Sequence, residues 1–152
     1  MGITQATLSR WERGHHRLTE EAERKLARLL RARLDSAGDS GLRRLIENST
    51  QQVHLICYLS HRLLAASPPR VVGWTVDLAE IRGRSLWRFA TDEIRAAESR
   101  LGELGWYDDV VAQVKFDNGA NDSAVVPIES GLLVWERLHL SDGTLARLVT
   151  SL

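Results

Sequence analysis

The chain has 152 residues, of which 43% are hydrophobic and 26% charged, a composition typical of a soluble globular protein with one or two small domains. No apolar run approaches the roughly 18 residues of a membrane-spanning helix, and the polar, basic N-terminus does not resemble a secretory leader. We therefore expect a cytoplasmic protein with no membrane partner. The single cysteine, Cys57, excludes an internal disulfide and provides no ligand cluster, so no metal site is predicted.

The net charge of zero hides an uneven distribution of charge. Residues 1–45 contain 10 Lys and Arg against 6 Asp and Glu, whereas residues 46–152 contain 10 against 14. The basic N-terminal part is therefore the end of the chain that would bind a polyanion.

Two helices are predicted at the start of the chain, over residues 3–13 and 20–34. The second has an apolar stripe at helical spacing, formed by Ala22, Leu26, Leu29, Leu30 and Leu34. Thr19 is a suitable N-cap for it. The glycines and Asp/Ser residues of "DSAGDSG" then break the pattern, so residues 35–50 are predicted to be a linker or a dimerisation helix.

From residue 51 onward the pattern changes to strands. "QQVHLICYLS" and "RLLAAS" predict a hairpin through Ser60, His61 and Arg62. Helices follow at "TVDLAEI" and at "TDEIRAAESRLGEL", the latter starting at Thr91. "VVAQVKF", "GLLVWERLHL" and "TLARLVTSL" predict three strands, the last two joined by "SDG", in which Gly143 can adopt a positive φ. The predicted class is α+β, with a five-stranded antiparallel sheet and helices on one face that leave a pocket between the two layers.

The segment "GITQATLSRWERG", residues 2–14, has polar side chains near the start of a helix and apolar ones behind it, as a helix that enters the major groove requires. It resembles the recognition helix of Cro/C1-type (XRE) helix-turn-helix regulators, and "HRLTEEAERKLARLL" resembles their closing helices. The resemblance implies DNA as a partner. The DNA-contacting residues that it implies are Gln5, Ala6, Thr7, Ser9, Arg10 and Arg13.

In that family two further helices precede the recognition helix, and none can precede Met1 here. We therefore expect residues 1–34 to be a partial helix-turn-helix, and Met1 to be an internal residue of a longer natural protein. A domain below about 40 residues rarely buries enough surface to fold alone. Specific DNA binding by this chain is accordingly expected to be weak or absent.

Residues 51–152 are similar to the PAS fold of sensor domains. The similar segments are "HLICYLSHRLLAAS", "LAEIRGRSLWRFATDEI" and "GLLVWERLHLSDGTLARLVTSL". The resemblance implies a pocket that holds haem, flavin, a metabolite or nothing, and the cofactor stays unknown. Haem ligation would need an axial residue such as His54, His61 or His139. Cys57 is on the first strand, whereas light-sensing domains place their reactive cysteine on a helix.

Four tryptophans are candidates for a ligand pocket: Trp74, Trp87, Trp106 and Trp135. Their alternative role is to anchor a small core. No arrangement of residues suggests catalysis. Ser60 and His61 are neighbours in sequence and would therefore point to opposite faces of a strand, so an enzyme is not expected.

The function predicted from the sequence is a DNA-binding transcriptional regulator whose PAS-like domain senses a small ligand or mediates dimerisation, with DNA binding impaired in this truncated chain. The predicted assembly is a homodimer. The alternative is a PAS-like signalling or interaction protein without DNA binding of its own. In a dimer the helix over residues 20–34 and the segment "LRRLI" are the expected points of contact between protomers.

Overall fold

The computed structural model describes residues 19–29 and 33–152. The chain divides into two compact units, residues 1–31 and residues 32–152. The six residues for which the helix-turn-helix resemblance implies DNA contact lie outside the described residues. They are Gln5, Ala6, Thr7, Ser9, Arg10 and Arg13.

The described part of the first unit is helix α1, Glu20–Leu29, which has three acidic residues in its first turn. Negative side chains are favourable there because the first turn carries the positive end of the helix dipole. The helix was predicted to continue to residue 34, but Leu34 lies in a bend. Its side chain is only 3% exposed and packs in the core of the second unit with Ile46 and Leu140. Leu34 therefore belongs to the core of the second unit and not to the predicted apolar stripe of the helix.

The described residues of the second unit form five strands and four short helices, in the predicted order. The strands are β1 (Gln52–Cys57), β2 (Leu63–Ala66), β3 (Gln113–Asn118), β4 (Gly131–His139) and β5 (Leu145–Ser151). The helices are α2 (Ser40–Glu47), α3 (Pro68–Val71), α4 (Leu78–Ile81) and α5 (Asp92–Arg100), with a 3-10 turn at Trp87–Phe89. Among the described residues no helix is long and apolar enough to cross a membrane.

The strands form one antiparallel sheet in the order β2-β1-β5-β4-β3. Both predicted hairpins are present, and Gly143 in the β4–β5 turn has φ +81°. The register places His54, Val149 and Trp135 side by side across three strands. Because residues paired in this way project to the same side of a sheet, these three side chains share one face.

Helices cover both faces of the sheet, which corrects the prediction that they lie on one face. On one face α2 contacts β1 and β2, and Ile46 packs with Val53 and Leu55. On the other face Ile81 and Leu101 belong to a second apolar cluster. Strand β1 is buried on both sides, as its nearly continuous apolar sequence requires. The segment 35–50, predicted to be a linker or dimerisation helix, thus supplies a helix that covers the sheet.

Thr91 begins α5 as predicted. Its Oγ1 accepts a hydrogen bond from the backbone N–H of Ile94 (3.3 Å) and donates one to Oδ1 of Asn118 (2.7 Å). The first contact caps the helix, and the second joins it to the end of β3. Together they fix α5 over the sheet, where it forms one wall of the site described next.

Candidate functional site

A cavity of about 60 Å³ lies between the sheet and the helical layer. Its sheet side is formed by His54, Ile56, Leu133, Trp135, Arg147 and Val149. Its other walls are formed by Arg70 and by Leu86, Trp87, Phe89, Ala90 and Ile94, together with His61, Val126 and Ile128. The lining is mostly apolar, with two histidines and two arginines as its polar groups.

The structure brings two of the four candidate tryptophans to this cavity. Trp87 and Trp135 line it, and Trp135 packs edge-on against Phe116 with 4.6 Å between the ring centroids. Trp106 is fully buried within the apolar core, and Trp74 packs partly buried against that core. Trp106 and Trp74 do not contribute to the lining.

Two of the three histidines considered as haem ligands, His54 and His61, also line the cavity. His139 lies exposed at the end of β4. A space of about 60 Å³ is several times smaller than the roughly 300–1,000 Å³ pockets of larger ligands, so neither haem nor flavin fits. Cys57 is buried on the opposite face of the sheet, in the cluster that contains Val53 and Leu55.

His54 is held as a neutral side chain. Burial, and then the positive charge of Arg70, lower the pKa of His54 well below its usual value. Its Nδ1 accepts a hydrogen bond from Nε of Arg70 at 3.2 Å. An imidazole that accepts through Nδ1 and is uncharged carries its proton on Nε2. His54 therefore contributes a hydrogen-bond donor without a charge.

Arg147 and Glu98 form an ion pair at the inner side of α5. Arg147 is 1% exposed, and its Nη1 and Nη2 donate to the Glu98 carboxylate at 2.5 and 3.2 Å. The guanidinium also lies 4.3 Å from the ring centroid of Trp135, a favourable cation–π arrangement. Burial alone would raise the pKa of Glu98, but contacts with His61 and Arg147 lower it to about 2.

His61 completes this cluster from the β1–β2 turn. Its Nε2 lies 3.6 Å from Oε2 of Glu98, which is too far for a hydrogen bond, and it has no hydrogen-bond partner in the described part of the chain. Its ring stacks on Trp87, with centroids 4.6 Å apart, and its φ is +54°. Glu98 thus faces both His61 and Arg147. Within the described residues no group of three or more potential metal ligands is found.

Sequence reasoning missed the charged residues of the site. Arg147 does have a signal, because it occupies an inward position between Leu145 and Val149 on an otherwise apolar face of β5. Glu98 lies on a helix rich in charged residues, and "SPPR" gives no reason to place Arg70 at a cavity. Only the folded chain brings these positions together.

Comparison with known proteins supports the fold. The structure is similar to the PAS domain of an HTR-like protein from Haloarcula marismortui, with a TM-score of 0.52 and 21% sequence identity, covering 74% of this chain and 94% of that domain. The fold of the second unit is therefore PAS-like, as predicted. No protein-family model and no curated protein matches the sequence. These findings give no support to the helix-turn-helix resemblance of residues 2–14.

Proposed function

We propose that residues 32–152 form a sensor domain that binds a small molecule in the cavity between the sheet and the helices. The observation that carries this proposal is the cavity itself. It lies on a PAS-like sheet, and its mostly apolar walls include a few polar groups, among them His54 and Arg70. Small-molecule sites commonly combine such walls with a few well-placed polar groups that orient the ligand.

The attachment of the segment before α2 to the β4–β5 turn supports a signalling role. Strands β4 and β5 carry Trp135 and Arg147, and their connecting turn contains Ser141. The backbone N–H and the Oγ of Ser141 donate to the carboxylate of Asp39 at 3.0 and 2.7 Å. Asp39 lies in the segment through which the chain enters the domain. A shift of the hairpin upon ligand binding would therefore change the anchoring of that segment.

The test is ligand-observed NMR with the whole chain and a panel of molecules of four or five heavy atoms, namely acetate, acetamide, propionate, propionamide and imidazole. Ala90 lines the cavity, so Ala90→Val should reduce the cavity volume and weaken the binding of every molecule that binds there. Ala120→Val adds the same two methyl groups at an exposed loop position and should leave binding unchanged. Binding that is absent across the panel, or equal in both variants, would contradict the proposal.

A DNA-binding transcriptional regulator is the second candidate. It rests on the sequence of residues 2–14, in which Gln5 and Arg10 match base-facing positions of the helix-turn-helix family. In such regulators a homodimer spaces two recognition helices by one turn of DNA. Selection from random DNA duplexes tests this function. A consensus sequence whose selection requires Gln5 and Arg10, but not the exposed Arg33, would support this function. If the selection enriches no sequence, DNA binding by this chain is contradicted.

A further inference from the structure

Among the described residues Arg70 has no counter-ion, unlike Arg147, the other arginine of the cavity. In the described part of the chain no carboxylate lies within 4 Å of its guanidinium, whereas Arg147 is paired with Glu98. Arg70 is half-buried, and burial lowers its pKa. An arginine nevertheless stays charged at physiological pH, and a partly buried charge without a partner is unfavourable. An anion at this position would remove that cost.

The local structure holds Arg70 in place. Ser67, which is fully buried, accepts hydrogen bonds from the backbone N–H groups of Val53 (3.1 Å) and Arg70 (3.3 Å). It also donates to the carbonyl of Gln51 (2.7 Å). The start of α3 is thereby attached to β1, the strand whose His54 accepts from Nε of Arg70. Both ends of the arginine side chain are therefore fixed relative to the sheet.

The hydrogen bond to His54 leaves one edge of the guanidinium available. Nε is occupied, and neither Nη atom has a hydrogen-bond partner among residues 19–29 and 33–152. Two parallel N–H groups on one guanidinium match the two oxygens of a carboxylate. The flat face of Arg70 lies 5.7 Å from the ring centroid of Trp74, which restricts its orientation further.

The charge balance of the cavity favours a single negative charge. His54 is neutral, and the charge of Arg147 is compensated by Glu98, which also faces His61. Arg70 is thus the uncompensated positive charge of the lining. A monoanion would neutralise it, whereas the second charge of a dianion would face apolar walls and lose its hydration.

The cavity volume limits the size of the anion. About 10–15 Å³ of such space accommodates one water, so a cavity of about 60 Å³ has room for about four to six atoms of that size. Acetate, propionate and butyrate have four, five and six heavy atoms. The side chains of Ile56, Leu86 and Phe89 offer an apolar surface for the alkyl part.

We propose that the cavity binds a monocarboxylate of two to four carbons, with its carboxylate on the free edge of Arg70 and its alkyl part against the apolar walls. This inference rests on the proposed ligand-binding function. A surface groove of about 340 Å³ adjoins the cavity, since Arg70, Ile128 and Leu133 line both, and it is the expected route of entry for the ligand.

The experiment is an NMR titration of the full chain with propionate and with propionamide, which has the same shape and no charge. Propionate should bind at least tenfold more tightly. Arg70→Gln should weaken the binding of propionate at least tenfold and that of propionamide much less, because propionamide has no charge to lose. Arg70→Lys should have an intermediate effect because a lysine keeps the charge but not the two-point geometry. Arg100→Gln removes an equal charge from an exposed position on α5 and should change neither affinity.

The outcomes separate this inference from the function on which it rests. Equal affinities for propionate and propionamide, both weakened by Ala90→Val, would overturn the carboxylate assignment and leave ligand binding in the cavity standing. The carboxylate assignment is likewise overturned if chloride at equal concentration produces the same chemical-shift changes as propionate. Binding of hexanoate as tight as that of propionate would overturn the size limit. If no molecule of the panel binds, the proposed function fails together with the carboxylate assignment.

Discussion

Glu98 on α5 and Arg147 on β5 are separated by 49 residues, and two hydrogen bonds join their side chains. The pair connects the helical layer to the sheet at the edge of the cavity. Arg147 is 1% exposed, so that its charge depends on Glu98 for compensation. Removing one partner of a buried ion pair is more costly than removing both, because the remaining charge stays buried without a counter-ion.

Replacing Glu98 by glutamine is therefore expected to lower the free energy of unfolding by about 3 kcal/mol. Urea denaturation followed by circular dichroism measures this change. Glu103→Gln removes an exposed carboxylate that follows the same helix and should change stability by less than about 0.5 kcal/mol. The double variant Glu98→Leu with Arg147→Met should recover part of the loss, and a double variant less stable than Glu98→Gln would contradict this account.

The same pair predicts how stability depends on pH. The folded-state pKa of Glu98 is about 2 and its ordinary value is 4.5, so the folded protein binds this proton less readily than the unfolded chain does. The stabilisation from ionised Glu98 is thus fully present above about pH 4.5 and is lost as the pH falls toward 2. The stability difference between the wild type and Glu98→Gln should shrink over that window. A difference that stays constant from pH 6 to pH 2.5 would show that Glu98 has an ordinary pKa.

The strands and their order along the chain could be predicted because local patterns determine them. Alternating or continuous apolar runs identify the strands, and Gly143 and Thr91 mark a turn and a helix start. The role of residues 35–50 could not be predicted in the same way. Two glycines in this stretch indicate a break in local structure, whereas the burial of Leu34 and Ile46 depends on contacts with strands distant in sequence.

The candidate site was less predictable than the fold. An aromatic residue buries its ring equally well in a core or at a cavity wall, so the sequence cannot distinguish Trp106 from Trp135. The positions of Arg70 and Glu98 at the cavity and its edge depend on how α3 and α5 pack over the sheet. Such packing is a tertiary property that short-range spacing does not encode.

Two glycines test the requirement for a positive φ. Gly143 has φ +81° and no atom within 4 Å of an added Cβ, whereas at Gly105, with φ +71°, that Cβ would lie 2.8 Å from Cβ of Val110. Gly143→Ala should therefore cost about 1 kcal/mol from backbone strain, and Gly105→Ala about 2–3 kcal/mol because a steric clash is added. Gly41 lies in α2 with open space around it, and Gly41→Ala should stabilise by up to about 1 kcal/mol. Thermal unfolding of the three variants gives the order, and equal losses at positions 105 and 143 would contradict it.

Asp39 provides the last test, because it attaches the segment before α2 to the β4–β5 turn. Its carboxylate accepts hydrogen bonds from Oγ of Ser36 (2.6 Å) and from Oγ and N–H of Ser141, and these bonds lower the pKa of Asp39. Asp39→Asn should weaken this attachment, since an amide accepts these donors less strongly than a carboxylate. Hydrogen exchange should then become faster in residues 33–39 and 140–144, with little change in β1.

The wild type should show the same loss of protection, measured relative to the intrinsic exchange rate at each pH, as the pH falls below the ordinary pKa of an aspartate. A group with a lowered folded-state pKa contributes its full stability above the ordinary pKa and loses it as the pH falls toward the folded-state pKa. Asp35→Asn, at an exposed position of the same segment, is the matched control and should exchange like the wild type. If Asp39→Asn and Asp35→Asn exchange alike, Asp39 does not hold the segment to the hairpin. The proposed route from the cavity through the β4–β5 hairpin to the segment before α2 would then be contradicted.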